Sequence, residues 1–323
     1  MFSESRAGRG ILAVAVLALT ALASCERKRA PAPSDTAGAR RSPSAVGPTV
    51  PAIPSAWDTS AGSVLFVHGS DTEDASIVFP QFSDSMLPDT VHFDWHGVRG
   101  ATLDLFARGG RFGDGRVQAV NGSDWTGDHC TDWPTASITA SHVRPEADSS
   151  DRAMWTVALY SGRAQAVPLD SIEGMARVDS ARLAAELARL TSALPDDTAR
   201  TFRGIPASVR VAYRFHPTPG VDAVVADVVR RLNLEANPLE QHTFVIAERD
   251  PGGSWHVAYH ERAAGSEESI EITDVLATIA IGSPPRVMLF VMREGLESSA
   301  YASLERDPSG SWRLRWTSAH TGC

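Results

Sequence analysis

Two histidine pairs are the first residues to consider for chemistry, because His is the commonest metal ligand among side chains. His92 and His96 occur in "HFDWH", and His256 and His260 occur in "HVAYH". Both segments are typical of strands, on which residues four apart share a face but lie about 13 Å apart. One ion bridges that distance only if the strand bends, since zinc–nitrogen bonds are about 2.1 Å long. We therefore expect these four His to occupy exposed polar positions on their strands. Metal binding by either pair is the alternative.

Neither pair belongs to a catalytic motif. "YHERA" (259–263) lacks the second His of the HExxH zinc motif, because residue 264 is Ala. "VLFVHGS" (64–70) resembles the strand and His-Gly that open an α/β-hydrolase. That family needs a Gly-x-Ser-x-Gly elbow, which occurs nowhere in the chain. The sequence therefore names no catalytic residue.

Two acidic segments, "GSDTED" (69–74) and "GSEESIEITD" (265–274), offer oxygen ligands for calcium. Neither has the ligand spacing of an EF-hand, so solvated acidic loops are favoured. The glycines of "ARGGRFGDGRV" (107–117) lie between alternating runs and indicate a hairpin turn instead of a phosphate-binding loop. We expect no cofactor.

An octapeptide occurs twice, as "ERDPGGSW" (248–255) and "ERDPSGSW" (305–312). Pro fixes φ at the second position of a turn and Gly accepts positive φ, so each copy predicts a β-hairpin whose Glu, Arg and Asp flank the turn. Apolar runs precede both copies, "AVVADVV" (223–229) and "RVMLFVM" (286–292). The unit is therefore a three-stranded meander, present twice.

The strands after both turns alternate apolar with polar residues, which predicts one core-facing side for each. A ligand-stacking surface is the alternative. The predicted core faces consist of Trp255, Val257 and Tyr259 in the first copy and of Trp312, Leu314 and Trp316 in the second.

The second copy, "SAYASLERDPSGSWRLRW" (299–316), is faintly similar to FG-GAP/VCBS-type repeat proteins. That resemblance implies a partial or degenerate β-propeller as an alternative fold. The Asp-x-Asp-Gly calcium loop of that family is absent, since "EITDVLATIAIG" (271–282) keeps only Asp274. Two copies are also fewer than the four blades that a ring usually needs. No ligand residue is transferred from this family.

One helix is expected. "DSARLAAELARLTSALP" (179–195) places four Leu at i, i+4, i+7 and i+11 and ends at Pro195, which predicts an amphipathic helix docked on a sheet. "MWTVALYSGRAQAVPL" (154–169) predicts a hairpin around Ser161-Gly162. Further strands are expected within 63–69, 75–82, 90–95 and 101–110.

These elements predict a mostly β (α+β) protein, in which antiparallel meanders form two β-rich halves joined by the helix. We expect an N-terminal β-rich domain over 57–170, a helical connector over 171–200 and a C-terminal β domain over 201–323.

The N-terminus carries the strongest functional signal. Arg6 and Arg9 precede an apolar run, residues 11–24, that is too short to span a bilayer and is typical of a secretory signal peptide. The run ends in "LASC", which resembles the lipobox of bacterial lipoproteins. The resemblance implies cleavage of residues 1–24, acylation of Cys25, including palmitate, and a lipid-anchored protein of the cell envelope that faces the periplasm or the exterior.

Residues 25–56 are rich in Pro, Ala, Ser and Arg without apolar periodicity, which predicts a disordered tether. The chain has a net charge of −9, so the sequence gives no electrostatic reason to bind nucleic acid. The expected partner is a membrane, reached through the anchor. Cys130 and Cys323 then remain as an even pair in an oxidising compartment, which favours a disulfide between them over two free thiols or an intermolecular link.

Two functions follow from these observations. The first is a non-enzymatic, lipid-anchored binding or structural module, without a pocket where His and carboxylates converge. The second is an extracytoplasmic enzyme or metal-dependent module, which requires such a pocket. That pocket would be built from dispersed His and acidic residues, such as His68, His92, His96 and the acidic loops.

Overall fold

Strands dominate the protein, as predicted. The computed structural model describes residues 56–68, 74–83, 85, 87, 97–122, 132–143, 155–195, 200–232, 238–266 and 268–322. In this part of the chain all strand pairs are antiparallel and one α-helix is present, which confirms the mostly β class. Cys25, Cys130, Cys323, His92 and His96 lie outside the described residues, as does the expected strand 90–95.

The first six strands close into a barrel in the order β1-β2-β5-β4-β3-β6. Pairing of Phe66 with Ala158 joins the first strand to the last and completes the ring. The closed ring leaves none of these strands at a free edge, which removes the usual site of edge-to-edge association. Its strands are β1 Leu65–His68, β2 Ala75–Val78, β3 Thr102–Ala107, β4 Gly110–Asn121, β5 Thr135–Ser141 and β6 Val157–Tyr160.

The remaining strands form two open sheets. The helix-backed sheet has the order β12-β11-β10-β9-β8 and contains β8 Asp170–Ser171, β9 Ser208–Phe215, β10 Asp222–Leu232, β11 Leu239–Arg249 and β12 His256–Ser266. The C-terminal sheet has the order β16-β15-β14-β13-β7 and contains β7 Ala164–Ala166, β13 Ile272–Ile281, β14 Arg286–Glu294, β15 Ser298–Arg306 and β16 Trp312–Thr317, with β17 Thr321–Gly322 paired to β15.

Apolar side chains connect all three sheets. Phe244 and Ile246 of the helix-backed sheet pack in one core with Leu289 and Val291 of the C-terminal sheet. Another core combines barrel residues with Met288, Phe290 and Trp316 of the C-terminal sheet. Residues 52–323 accordingly form one compact unit that includes both β-rich halves.

The predicted helix is present as α1, Arg177–Ser192. Leu183 and Leu187 are buried against Val224, Val228 and Val245 on the outer face of the helix-backed sheet. The opposite face of that sheet meets the C-terminal sheet, which explains why β10 is apolar on both sides. Three short 3-10 turns, Thr59–Ala61, Ile172–Gly174 and Arg200–Phe202, complete the described elements.

Both copies of the meander are confirmed. Strands β10, β11 and β12 are consecutive neighbours in one sheet, and β14, β15 and β16 are consecutive neighbours in the other. The meanders thus belong to sheets of five and six strands, whereas a propeller consists of four-stranded blades around an axis.

The predicted single core face after each turn is wrong, because both copies carry a β-bulge at the same place. The register shifts between Ile246 and Ala247 in the first copy and between Ser303 and Leu304 in the second. A bulge inserts one residue and reverses the alternation beyond it. Consequently Trp255 and Val257 pack towards the helix side, whereas Tyr259 packs between the sheets. In the second copy Trp312 and Trp316 belong to different cores, and Leu314 is exposed.

The hairpin expected over 154–169 is also wrong. β6 pairs with β1 and β3 in the barrel, whereas β7 pairs with β13 in the C-terminal sheet. The turn at Ser161-Gly162 is present, but the chain leaves one sheet there and enters another. Alternation and a turn describe each strand correctly but carry no information about its partner.

The glutamates of the octapeptide precede the two turns, and their side chains are buried. Glu248 and Glu305 are each 3% exposed. Glu248 accepts hydrogen bonds from Arg306 Nε at 2.8 Å, Arg306 Nη2 at 2.9 Å and Trp312 Nε1 at 2.6 Å. The first copy is therefore bonded directly to the second. Asp307 does serve the turn, since it accepts from the backbone N–H groups of Ser309 and Ser311.

Candidate functional site

The inner face of the helix-backed sheet changes from apolar to charged at one end. Phe244 lies opposite Asp227 on β10 and opposite Glu261 on β12, so the three side chains form one row on the same face. His242, two residues before Phe244 on β11, belongs to the next row of that face. Alternation along three strands thus brings two carboxylates and an imidazole together.

A pocket of about 190 Å³ opens at this end, between the helix-backed and C-terminal sheets. We call it the mouth pocket. Its floor belongs to β10, β11 and β12, and its opposite wall belongs to β13, β14 and the segment before β13. The lining consists of Asp227, His242, Phe244, Glu261, Arg262, Ala263, Glu271, Thr273 and Arg293.

Asp227 is the most deeply buried charge of the mouth pocket, at 3% exposure. Its Oδ2 accepts from Arg210 Nε at 2.5 Å and lies 2.8 Å from His242 Nδ1. Its Oδ1 is buried and has no hydrogen-bond partner among the described residues. A buried oxygen in this state carries a desolvation cost of about 1–3 kcal/mol, more when charged.

Carboxylates hold both ring nitrogens of His242. Nδ1 lies 2.8 Å from Asp227 Oδ2, and Nε2 lies 2.8 Å from Glu240 Oε2. An imidazole that donates from both nitrogens is the charged form. Burial opposes this charge, but the hydrogen bonds and attraction to Asp227 and Glu240 outweigh burial and raise the pKa of His242.

Glu261 is fully engaged, in contrast to Asp227. Its Oε2 accepts from Arg293 Nη2 at 2.6 Å and from the Tyr259 hydroxyl at 3.0 Å. Its Oε1 accepts from the Thr273 hydroxyl at 3.0 Å. Burial, followed by the neighbouring Glu261 charge, raises the pKa of Tyr259 and keeps that hydroxyl a donor. Glu261 therefore ties β12 to the C-terminal sheet.

The two ends of the inner face of the helix-backed sheet differ in how their charges are satisfied. At the far end Glu248 receives three hydrogen bonds, two of them from one guanidinium. At the mouth pocket, which Asp227 lines, one oxygen of Asp227 accepts no hydrogen bond from the described residues. The hydrogen bonds of Glu248 connect the two sheets at the far end, whereas the mouth pocket has the form of a binding site.

The structure does not bring the sequence-predicted ligands together. His256 and His260 are exposed on β12, and His68 lies in the barrel beside the Trp155 ring. Within the described ranges, no group of three or more His, Cys, Asp or Glu is arranged to hold a metal ion. Of the acidic segment 265–274, Glu271 lines the mouth pocket and Asp274 pairs with Arg210 at 2.7 Å, so this segment is more than a solvated loop.

Sequence reasoning missed Asp227 and His242, the centre of the mouth pocket. One signal was present, because Asp227 interrupts the apolar run "AVVADVV" and a charge inside a buried strand is rare without a partner. The partners lie on β9 and β11, which are distant from it in sequence.

Comparison with protein-family models, with curated proteins and with solved structures finds no match to this chain. In the described ranges, none of the helices has the length and apolar character needed to cross a membrane.

Proposed function

We propose that this chain is a lipid-anchored protein of the bacterial cell envelope whose β-rich body binds a small polar ligand in the mouth pocket. The binding role is carried by Asp227, which lines the pocket and whose buried Oδ1 accepts no hydrogen bond from the described residues. The envelope location is supported by the signal-like N-terminus, the "LASC" lipobox and the tether composition of residues 25–56. An oxidising compartment also supports the Cys130–Cys323 disulfide, which peptide mapping without reduction would detect.

A pocket where His and carboxylates converge was expected of an enzyme or a metal-dependent module, and the mouth pocket is one. The geometry of His242 nevertheless favours binding over catalysis. A His that serves as general base keeps one nitrogen on an orienting carboxylate and leaves the other for the group that loses its proton. Here Asp227 takes one nitrogen and Glu240 takes the other. His242 therefore orders the pocket floor and has no nitrogen left to accept a proton from a substrate.

Filling the mouth pocket is expected to abolish ligand binding. Ala263 lines the pocket on the edge strand β12, so Ala263→Phe places a ring inside it. We expect a ligand-observed NMR screen of amines, carboxylates, amino acids and sugars to find binders of the wild type that the variant no longer binds. Ala264→Phe, on the opposite and exposed side of the same strand, is the matched control. If every binder of the wild type also binds Ala263→Phe, the mouth pocket is not the binding site.

Cys25→Ala is expected to release the protein from the membrane, since a signal sequence without the lipobox Cys leaves no residue to acylate. Cell fractionation and intact-protein mass spectrometry should show a soluble chain without acyl mass. Cys130→Ala, which keeps the lipobox, should remain in the membrane fraction. A Cys25→Ala protein that still sediments with membranes and carries the wild-type lipid mass would contradict the anchoring.

A further inference from the structure

We infer that the ligand of the mouth pocket is a small organic cation, with a primary ammonium or guanidinium group. This inference rests on the binding function proposed above and specifies its ligand class. The evidence is the hydrogen bonding of the pocket: some of its polar atoms have hydrogen-bond partners among the described residues and others do not.

The pocket-lining atom that lacks a partner is an acceptor. Asp227 Oδ1 is buried and accepts no hydrogen bond from the described residues, while the other oxygen of the same carboxylate is shared by Arg210 and His242. A carboxylate oxygen can only accept, so the complementary ligand atom must donate. A charged N–H donor forms the stronger hydrogen bond and also offsets the buried negative charge.

Two more features of the lining suit a cation. Glu271 stands at the pocket rim with a side chain that is 43% exposed, and its carboxylate oxygens come no closer than 4.0 Å to Arg293 and His320. That distance exceeds a hydrogen bond, so Glu271 retains acceptor capacity for a ligand. Phe244 also lines the pocket, and the face of an aromatic ring attracts cations.

An anion finds no comparable partner. Arg293 Nη2 donates to Glu261 at 2.6 Å, and Arg210 is divided between Asp227 and Asp274. Arg262 donates from Nε to Thr243 and from Nη1 to the carbonyl of Pro195. An incoming carboxylate or phosphate would compete for engaged guanidinium groups and approach the bare oxygen of Asp227.

The volume limits the ligand to a small molecule. About 190 Å³ is below the range of roughly 300–1,000 Å³ that is usual for drug-sized ligands. A short alkyl chain on the cationic group fits this space and would contact Phe244. We therefore choose n-butylammonium as the probe, with n-butanol and butyrate as neutral and anionic probes of matched length.

The test is an NMR chemical-shift titration of the detergent-solubilised full chain with each of the three probes. We expect n-butylammonium to bind at least about tenfold more tightly than either matched probe, with the largest shifts in β10, β11 and β12. Equal or tighter binding of n-butanol or butyrate in the mouth pocket would overturn the cation inference but leave the binding function intact. If none of the three probes binds in the pocket, the cation inference fails, and the wider screen with Ala263→Phe then decides the binding function separately.

Substitutions in the pocket distinguish an effect on ligand recognition from an effect on folding. Asp227→Asn keeps an oxygen for Arg210 and His242 but places an N–H₂ donor at the open position, so the preference should invert from n-butylammonium to butyrate. Glu271→Gln at the exposed rim should weaken n-butylammonium about threefold to tenfold without affecting folding, whereas the exposed Glu173→Gln, outside the pocket, should leave it unchanged. Unchanged affinity in Glu271→Gln together with unchanged preference in Asp227→Asn would refute the assignment.

Discussion

Glu248→Gln is expected to lower the free energy of unfolding by about 3–5 kcal/mol, the usual cost of removing one partner of a buried ion pair. The carboxylate of Glu248 holds the guanidinium of Arg306 through two hydrogen bonds and also accepts from the indole of Trp312. Both charged side chains are largely buried, at 4% and 12% exposure. Glutamine cannot neutralise Arg306, whose half-buried guanidinium then loses the carboxylate that it contacts directly.

Urea denaturation of the wild type and the variant would measure this cost. The double replacement Glu248→Leu with Arg306→Met removes both charges and should recover most of the lost stability. Glu186→Gln, which breaks an exposed pair on α1, is the control and should change stability little. A Glu248→Gln protein as stable as the wild type would show that the link between the two octapeptides contributes nothing to folding.

His242→Leu is expected to cost about 3 kcal/mol of stability at pH 5.5 and progressively less as the pH is raised. Protonated His242 is paired with Asp227 and Glu240, and these bonds raise its pKa above the ordinary 6.5 against the effect of burial. A raised pKa in the folded state means that the native protein binds the proton more tightly than the unfolded chain does. The contribution is therefore complete below about pH 6.5 and is lost as the pH rises through the folded pKa.

Glu240 determines the pH below which this stabilisation is lost. Burial alone would raise the pKa of Glu240, but hydrogen bonds from His242 and Arg231 lower it below its ordinary 4.5. Its contribution is present above about pH 4.5 and is lost as the pH falls through the folded pKa. The pair therefore stabilises the protein most between about pH 4.5 and 6.5.

Thermal or urea unfolding at several pH values, expressed as wild type minus variant, isolates the titration of His242 from that of other groups. His260→Leu is the matched control, because His260 is exposed on the neighbouring strand β12. This control measures how far the replacement of an exposed His by Leu changes stability without the loss of the Asp227 and Glu240 contacts. A difference between wild type and His242→Leu that is constant from pH 5.5 to pH 9 would contradict the assigned charge state.

Much of the fold can be predicted from local pattern. The four leucines of "ARLAAELARLTSAL" have helical spacing, and the observed α1 buries Leu183 and Leu187 from that set. The Asp-Pro-x-Gly turns need only their own four residues, and both hairpins are present. These features depend on neighbours within one or two turns of chain, which is the range that periodicity reports.

Predictions from the local sequence pattern were wrong where the buried face of a strand changes or where the chain passes from one sheet to another. The bulges opposite Ile246 and Ser303 reverse an alternation that looks uninterrupted in sequence. A bulge adds one residue to a strand, and any residue type can occupy that position, so the sequence does not mark it. The segment around Ser161-Gly162 reads as one hairpin but divides between the barrel and the C-terminal sheet. The pairing of strands depends on how apolar side chains are buried across the whole molecule. The alternation within one segment shows which of its side chains share a face, but not which strand it pairs with.

The sequence by itself determined the β-rich class, the amphipathic helix, the repeated meander and the expectation of a lipid-anchored envelope protein. Only the tertiary structure decided which polar residues meet. Asp227, His242 and Glu261 are on three strands and reach one pocket because strand register places them in adjacent rows of one face. Register is a property of paired strands and not of any one of them, so the mouth pocket emerges only when the sheets are assembled.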